Sequence, residues 1–231
     1  ETAGPEACAA LLYTLAASRE TATDELLSSL VVVVDPCANP DGRERHVSYW
    51  RSVAGDEPDP DPQALENEPP WPEGRTNHAG VDLNRDWAWA TQPETRARLA
   101  ALRALPPQVY VDVHEMGSEQ SYFFPPPAEP VHPRVPEAAQ ARIAEFGKAN
   151  AEAFDARGWP YFSREVFDLF YPAYGDSWPT FHGMVGMTYE VGGKGGLAHR
   201  RKDGTVVTLK DRALKHWVAL RATLRTAAAR R

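Results

Sequence analysis

Hydrophobic and polar positions along the 231-residue chain alternate between helix-like and strand-like periods. Cys8, Leu11, Leu12 and Leu15 recur at helical spacing after Pro5, which predicts an amphipathic helix over about residues 5–18. Leu30 to Val34 is an uninterrupted β-branched run and predicts a buried strand of the parallel type. It stops at Asp35-Pro36, and Asn39-Pro40-Asp41-Gly42 follows as a turn signal. Residues 54–75 are rich in Pro, Asp and Glu and read as an exposed loop. Gly80-Val81-Asp82-Leu83-Asn84-Arg85-Asp86-Trp87 is too polar for a core strand and reads as a site loop. A helix is predicted over 92–104. It is followed by a strand built on Val109, Tyr110, Val111 and Val113 that ends at Asp112, His114, Glu115 and Gly117.

Further along, Tyr122 to Pro136 is an aromatic, proline-rich surface segment, and residues 137–158 have helical spacing with Gly158 as the stop. Residues 167–179 read as a structured loop dense in aromatics and glycine. Met184 to Val191 is an apolar strand ending on Glu190. A short strand over Thr205 to Leu209 precedes a final helix capped by Asp211 and reaching about Arg225. Strands and helices alternate, which implies a three-layer α/β/α fold around a mixed, largely parallel sheet, with residues 1–231 as one domain.

Composition changes this picture little. The apolar share of 42% and charged share of 25% are ordinary for a globular protein. A net charge of -7 argues against a nucleic-acid partner. No apolar run approaches the roughly 20 residues that a membrane span needs. Cys8 and Cys37 lack metal spacing and could pair or stay free.

The polar residues at the strand ends carry the chemistry. In open α/β sheets these ends gather at one edge, where ligands bind. His114, Glu190, Arg51 and the Asn84-Arg85 pair form a coherent set. Histidine suits a metal, a carboxylate can accept a proton, and arginines hold anions. No serine or cysteine stands in an elbow-like context, so metal-assisted hydrolysis fits better than covalent catalysis. The competing reading of Glu190 is a structural ion pair with Arg51 or Lys194. His46, His78, His132, His182, His199 and His216 read as surface or structural.

Taken in order, Asn39-Pro40-Asp41-Gly42, Tyr49-Trp50-Arg51, Gly80 to Arg85, Asp112-Val113-His114 and Thr188-Tyr189-Glu190 resemble the zinc carboxypeptidases of the carboxypeptidase A type. The resemblance runs from residue 1 to about 195. It implies an α/β/α fold with a mixed eight-stranded sheet, one zinc ion, and a peptide or protein C-terminus as substrate. Under it, His114 is the later zinc ligand, Arg51 stabilises the oxyanion, and Asn84 and Arg85 hold the substrate's terminal carboxylate. Glu190 is the general base, and Tyr171 closes over the substrate, with Tyr174 a near alternative. Apart from the resemblance, Asp112 reads as a residue that orients a ligand or the strand end. The pocket that would set side-chain preference spans roughly residues 163–189, with Asp176 as a candidate for its floor. A secreted or cell-envelope location is the lean that the resemblance gives.

The family reads His-x-x-Glu and then a helix, whereas this sequence starts at Glu1. Glu1 therefore resembles the first remaining zinc ligand of an N-terminally truncated chain that lacks its first strands. Such a chain is expected to hold no stoichiometric zinc, to have little peptidase activity and to aggregate. Two competing functions remain open on sequence. One is a same-fold amidohydrolase acting on N-acyl amino acids, such as the aspartoacylase group, and the other is a non-catalytic binding module.

Overall fold

The computed structural model describes residues 1–193 and 196–230. Its helices are α1 (Ala3–Ala17), α2 (Thr21–Ser29), α3 (Pro40–Val53), α4 (Pro93–Ala104), α5 (Glu137–Asp155), α6 (Ser177–Phe181) and α7 (Leu209–Ala228). Its strands are β1 (Val109–Met116), β2 (Tyr122–Phe123), β3 (Ala128–Val131), β4 (Asp168–Leu169), β5 (Val185–Gly192), β6 (Ala198–Arg200) and β7 (Val206–Thr208). The central sheet has the order β1-β5-β2, with β1 and β5 parallel and β2 antiparallel to β5. Two further pairs, β3-β4 and β6-β7, stand apart from it.

The period of two along β1 and β5 sorts their side chains onto two faces. Val109, Val111 and Val113 of β1 join Met187, Tyr189 and Val191 of β5 in the main core. That face is covered by α1, α5 and α7, which bring in Leu11, Ile143, Phe154 and Leu220. On the other face Tyr110 packs with a smaller cluster of Trp87, Leu99, Trp178 and Met184. Trp87 meets Tyr110 edge-on with ring centroids 5.6 Å apart. The same parity leaves Asp112, His114, Thr188 and Glu190 on this second face, beyond the apolar cluster and toward the C-terminal strand ends. Gly4 seats the start of α1 on β1, since a Cβ there would stand 2.9 Å from the carbonyl oxygen of Val113. The close approach brings Glu1 to the end of β1.

Several elements differ from the sequence reading. Leu30 to Val34 is not a strand, and Val31 and Val33 are 84% and 74% exposed. β-propensity alone does not make a strand; among the described residues no neighbour pairs with this run. Asn39-Pro40-Asp41-Gly42 is the start of α3 rather than a turn. Asn39 Oδ1 accepts the Gly42 N–H at 3.0 Å, and Pro40 occupies the first helical turn. The residue types that favour turns also favour helix N-caps, so one signal served two structures. Helix α2 is not visible in the apolar pattern at all. Helix α7 is capped by Thr208, with Asp211 completing a reciprocal capping box three positions later. The described strands number seven in three sheets, against the eight-stranded sheet that the resemblance implies. Cys8 and Cys37 are both free thiols.

Candidate active site

A cleft of about 340 Å³ opens over the second face at the ends of β1 and β5. Glu1, His114, Glu190, Asn84, Arg85 and Arg75 line it, with Asp112, Tyr174, Asp176 and Thr188 along its walls. The parallel register sets His114 directly beside Glu190, and Asp112 beside Thr188.

His114 is the hub of the site. Its Nδ1 lies 2.7 Å from Glu1 Oε2, and its Nε2 lies 2.8 Å from Asp112 Oδ2. Asn84 Nδ2 approaches the same Nε2 at 3.2 Å. Burial opposes a charge on His114, but Asp112 and Glu1 outweigh it and hold its pKa well above the usual value. Burial likewise works against ionised Glu1, yet His114 and Arg75 bring its pKa down to about 2. Behind the site, His216 Nε2 meets the His114 carbonyl at 3.1 Å, and its Nδ1 meets the Tyr122 hydroxyl at 2.8 Å. Burial pushes the pKa of His216 down to about 3, so this ring is a neutral structural link.

The loop before α4 supplies Asn84 and Arg85 to the cleft. Asp82 Oδ1 accepts the Asn84 N–H at 2.9 Å and starts a single 3-10 turn, Leu83–Arg85. That turn aims Asn84 inward, where its Oδ1 accepts the Gly175 N–H at 2.8 Å. The Arg85 guanidinium lies 4.5 Å above the Tyr174 ring. Tyr171 packs 5.3 Å from Tyr174 but does not line the cleft, and it is 40% exposed.

Glu190 is buried. Burial is the main cause that pushes its pKa up to about 8, with nearby Glu1 and Asp112 adding to the rise and His114 and Arg75 opposing it. The ion pair with Arg51 does not form, because Arg51 stands exposed on the last turn of α3 and outside the cleft. Its neighbour Trp50 is the inward-facing residue, with its indole nitrogen 3.2 Å from where a Cβ on Gly196 would sit. Successive helix residues point about 100° apart, so α3 turns Arg51 away. Lys194 lies outside the described residues.

Besides Arg85, the guanidinium that lines the cleft is that of Arg75. Its Nη1 donates to Glu1 Oε1 at 2.6 Å and its Nε to Asp82 Oδ2 at 2.9 Å. Sequence reading passed over it because it closes the polar 54–75 loop. Its one signal is its place seven residues ahead of Asp82. Thr188 was also missed as a cleft residue; its Oγ1 is buried and has no partner among the described residues. Asp176 lines the inner wall, and burial raises its pKa to about 6. His182 is stacked on Trp178 at 3.7 Å and is structural.

The sequence profile described as zinc carboxypeptidase matches residues 1–197. The chain belongs to the zinc carboxypeptidase family. No curated protein matches it. Among solved structures, a metallo-carboxypeptidase from Burkholderia cenocepacia superposes with a TM-score of 0.64 at 18% identity, covering 100% of this chain and 55% of that one. A Burkholderia mallei protein gives 0.66 at 17% identity, covering 99% and 54%. Thrombin activatable fibrinolysis inhibitor gives 0.59 at 15% identity, covering 98% and 62%. These likenesses show a shared mixed α/β fold, and the chain spans little more than half the length of the first two.

The donor set fits the family's metal. An imidazole nitrogen and a carboxylate oxygen converge in the cleft, and both are donor types that zinc takes. Asp112 backs the ring from its other nitrogen, the usual support for a metal-bound histidine. A second set of donors, Asp41, His78 and Glu94, has ligand atoms within 4.8 Å of one another. It lies at the N-terminal turns of α3 and α4, where helix dipoles stabilise the two carboxylates without a cation, and His78 Nδ1 meets Asp41 Oδ2 at 2.9 Å. No described helix is long and apolar enough to cross a membrane.

Proposed function

We propose that the whole protein is a zinc-dependent metallocarboxypeptidase that hydrolyses the C-terminal peptide bond of peptides. The observation that carries this reading is the meeting, in one cleft, of Glu1 and His114, the buried Glu190, and the Asn84-Arg85 pair. Glu1 and His114 would hold zinc, which when bound polarises the scissile carbonyl and lowers the pKa of water.

The chain's own groups account for the rest. Arg85 and Asn84 hold the free carboxylate at the peptide's end, for which the planar guanidinium fork is well matched. Tyr174, packed under Arg85, keeps that fork in place. Glu190 takes the proton from the attacking water and delivers it to the leaving amine, a role that suits a carboxyl whose pKa lies near neutrality. Charge developing on the carbonyl oxygen calls for a cationic donor in a dry site. Arg75 is favoured for that role over Arg51, because Arg75 lines the cleft and Arg51 does not.

A panel containing small peptides and N-acyl amino acids tests the reading. Release of the C-terminal residue from peptides, lost in Glu190→Gln, is expected. Hydrolysis of the N-acyl amino acids alone would assign the site to an amidohydrolase. Equal peptide release by Glu190→Gln and the parent would remove Glu190 as the base.

A further inference from the structure

On the opposite face of β1 from His114, a buried ion pair stands directly behind the metal-ligand position. Glu115 follows His114 in the strand, so the pleat sends its side chain to the α7 side. Its Oε1 accepts a hydrogen bond from Nη1 of Arg212, in the first turn of α7. Its Oε2 accepts the backbone N–H of Thr2 at 2.7 Å. Arg212 is fully buried, and its Nη2 donates to the Gly196 carbonyl at 2.7 Å. Gly193, just past β5, packs on the Arg212 stem so closely that a Cβ there would stand 2.1 Å from Cδ.

This arrangement does something that α1 does not do for itself. Thr2 is the N-cap of α1, and its side chain makes no capping bond. The Thr2 N–H belongs to the peptide that joins Glu1 to the helix. Holding that N–H fixes the Cα from which the Glu1 carboxylate reaches His114. The same side chain packs against Gly193, just past β5, and its guanidinium holds the Gly196 carbonyl. One buried cation thus links the start of α1, the ends of β1 and β5, and the start of α7.

We propose that Glu115 and Arg212 are positioning residues that set where the Glu1 carboxylate stands against His114, and so set the affinity and geometry of metal binding. The inference rests on the reading of Glu1 and His114 as metal ligands. Removing only one partner strands a buried charge, so the informative variant is the apolar pair Glu115→Met with Arg212→Met. Replacing a buried ion pair by apolar side chains of similar size commonly leaves stability intact.

The experiment titrates the whole protein, its double variant and its Glu1→Gln variant with Zn2+ against a chromophoric chelator, and records Co2+ visible absorption for each. Loss of an outer-shell partner is expected to weaken Zn2+ binding about 10- to 100-fold and to change the Co2+ spectrum. Arg43→Ala breaks an ion pair that α1 makes elsewhere, from Glu6 to Arg43 at 2.6 Å, and is expected to leave both readouts unchanged. Parent-like affinity and spectrum in a folded double variant, with Glu1→Gln weakened, would overturn the positioning role and leave the ligand reading standing. Parent-like affinity in Glu1→Gln would overturn the ligand reading and this inference with it. If the double variant does not fold, amide exchange of Thr2 in the parent decides. Slowing of at least about 100-fold relative to the unstructured chain supports the anchor, and unprotected exchange refutes it.

Discussion

Glu190→Gln gives the sharpest physical test of the cleft, because it reads the environment of one carboxyl without requiring turnover. In the metal-free protein, burial raises the Glu190 pKa from an ordinary 4.5 to about 8. The unfolded chain therefore ionises this group first as pH rises, while the folded chain keeps its proton. Folding then loses stability from about pH 4.5 upward, until the folded group also ionises near pH 8. Each pH unit in that window is worth about 1.4 kcal/mol, so the full loss is on the order of 4–5 kcal/mol. Glutamine has nearly the same shape and does not titrate. Urea unfolding of both proteins with a metal chelator present, from pH 4 to pH 9, isolates the effect. The two should be nearly equal at pH 4, and the variant should gain steadily on the parent up to about pH 8, then hold its lead. Parallel stability curves across the range would refute the buried, weakly paired carboxyl described above.

Three further outcomes follow from the packing and charge of the site. Arg75→Ala in the whole protein should lower kcat by about 10²- to 10³-fold, the usual loss for one oxyanion donor, while Arg51→Ala should stay within about twofold. Trp87→Ala should cost about 3–5 kcal/mol in urea unfolding, since Trp87 is 2% exposed at the centre of the smaller core cluster. Val31→Asp should change the stability of the chain by no more than about 0.5 kcal/mol, because Val31 is largely exposed; a loss of several kcal/mol would restore it to a buried strand.

How far the fold could be read from sequence depended on whether the signal was local. The strands at 109–116 and 185–192 were legible because each is an apolar run with a polar end, and their ends were expected to gather at one edge; the register that puts His114 beside Glu190 on one face came from the structure. The amphipathic helices at 3–17, 93–104 and 137–155 were legible for the same reason. The run from Leu30 to Val34 misled because composition reports strand propensity, whereas a strand also needs a hydrogen-bonding neighbour. Helix α3 was hidden because asparagine, proline and glycine mark helix starts as readily as turns. Arg51 and Arg75 show the limit at the site. Both are arginines near the motif residues in sequence, and only the direction in which α3 and the loop before Asp82 present them brings one into the cleft and leaves the other in solvent.

The central claim is that this cleft recognises a free C-terminus and cuts the bond before it. The most direct measurement is mass-spectrometric release of the last residue from one peptide in two forms, with a free and with an amidated C-terminus, by the whole protein and by its Arg85→Ala variant. The parent should cleave the free form with a large preference. In Arg85→Ala that preference should collapse, through loss on the free form alone, because a desolvated charge-assisted contact of this kind is worth about 2–5 kcal/mol. Equal loss on both forms, or a parent that cleaves both equally well, would contradict the account.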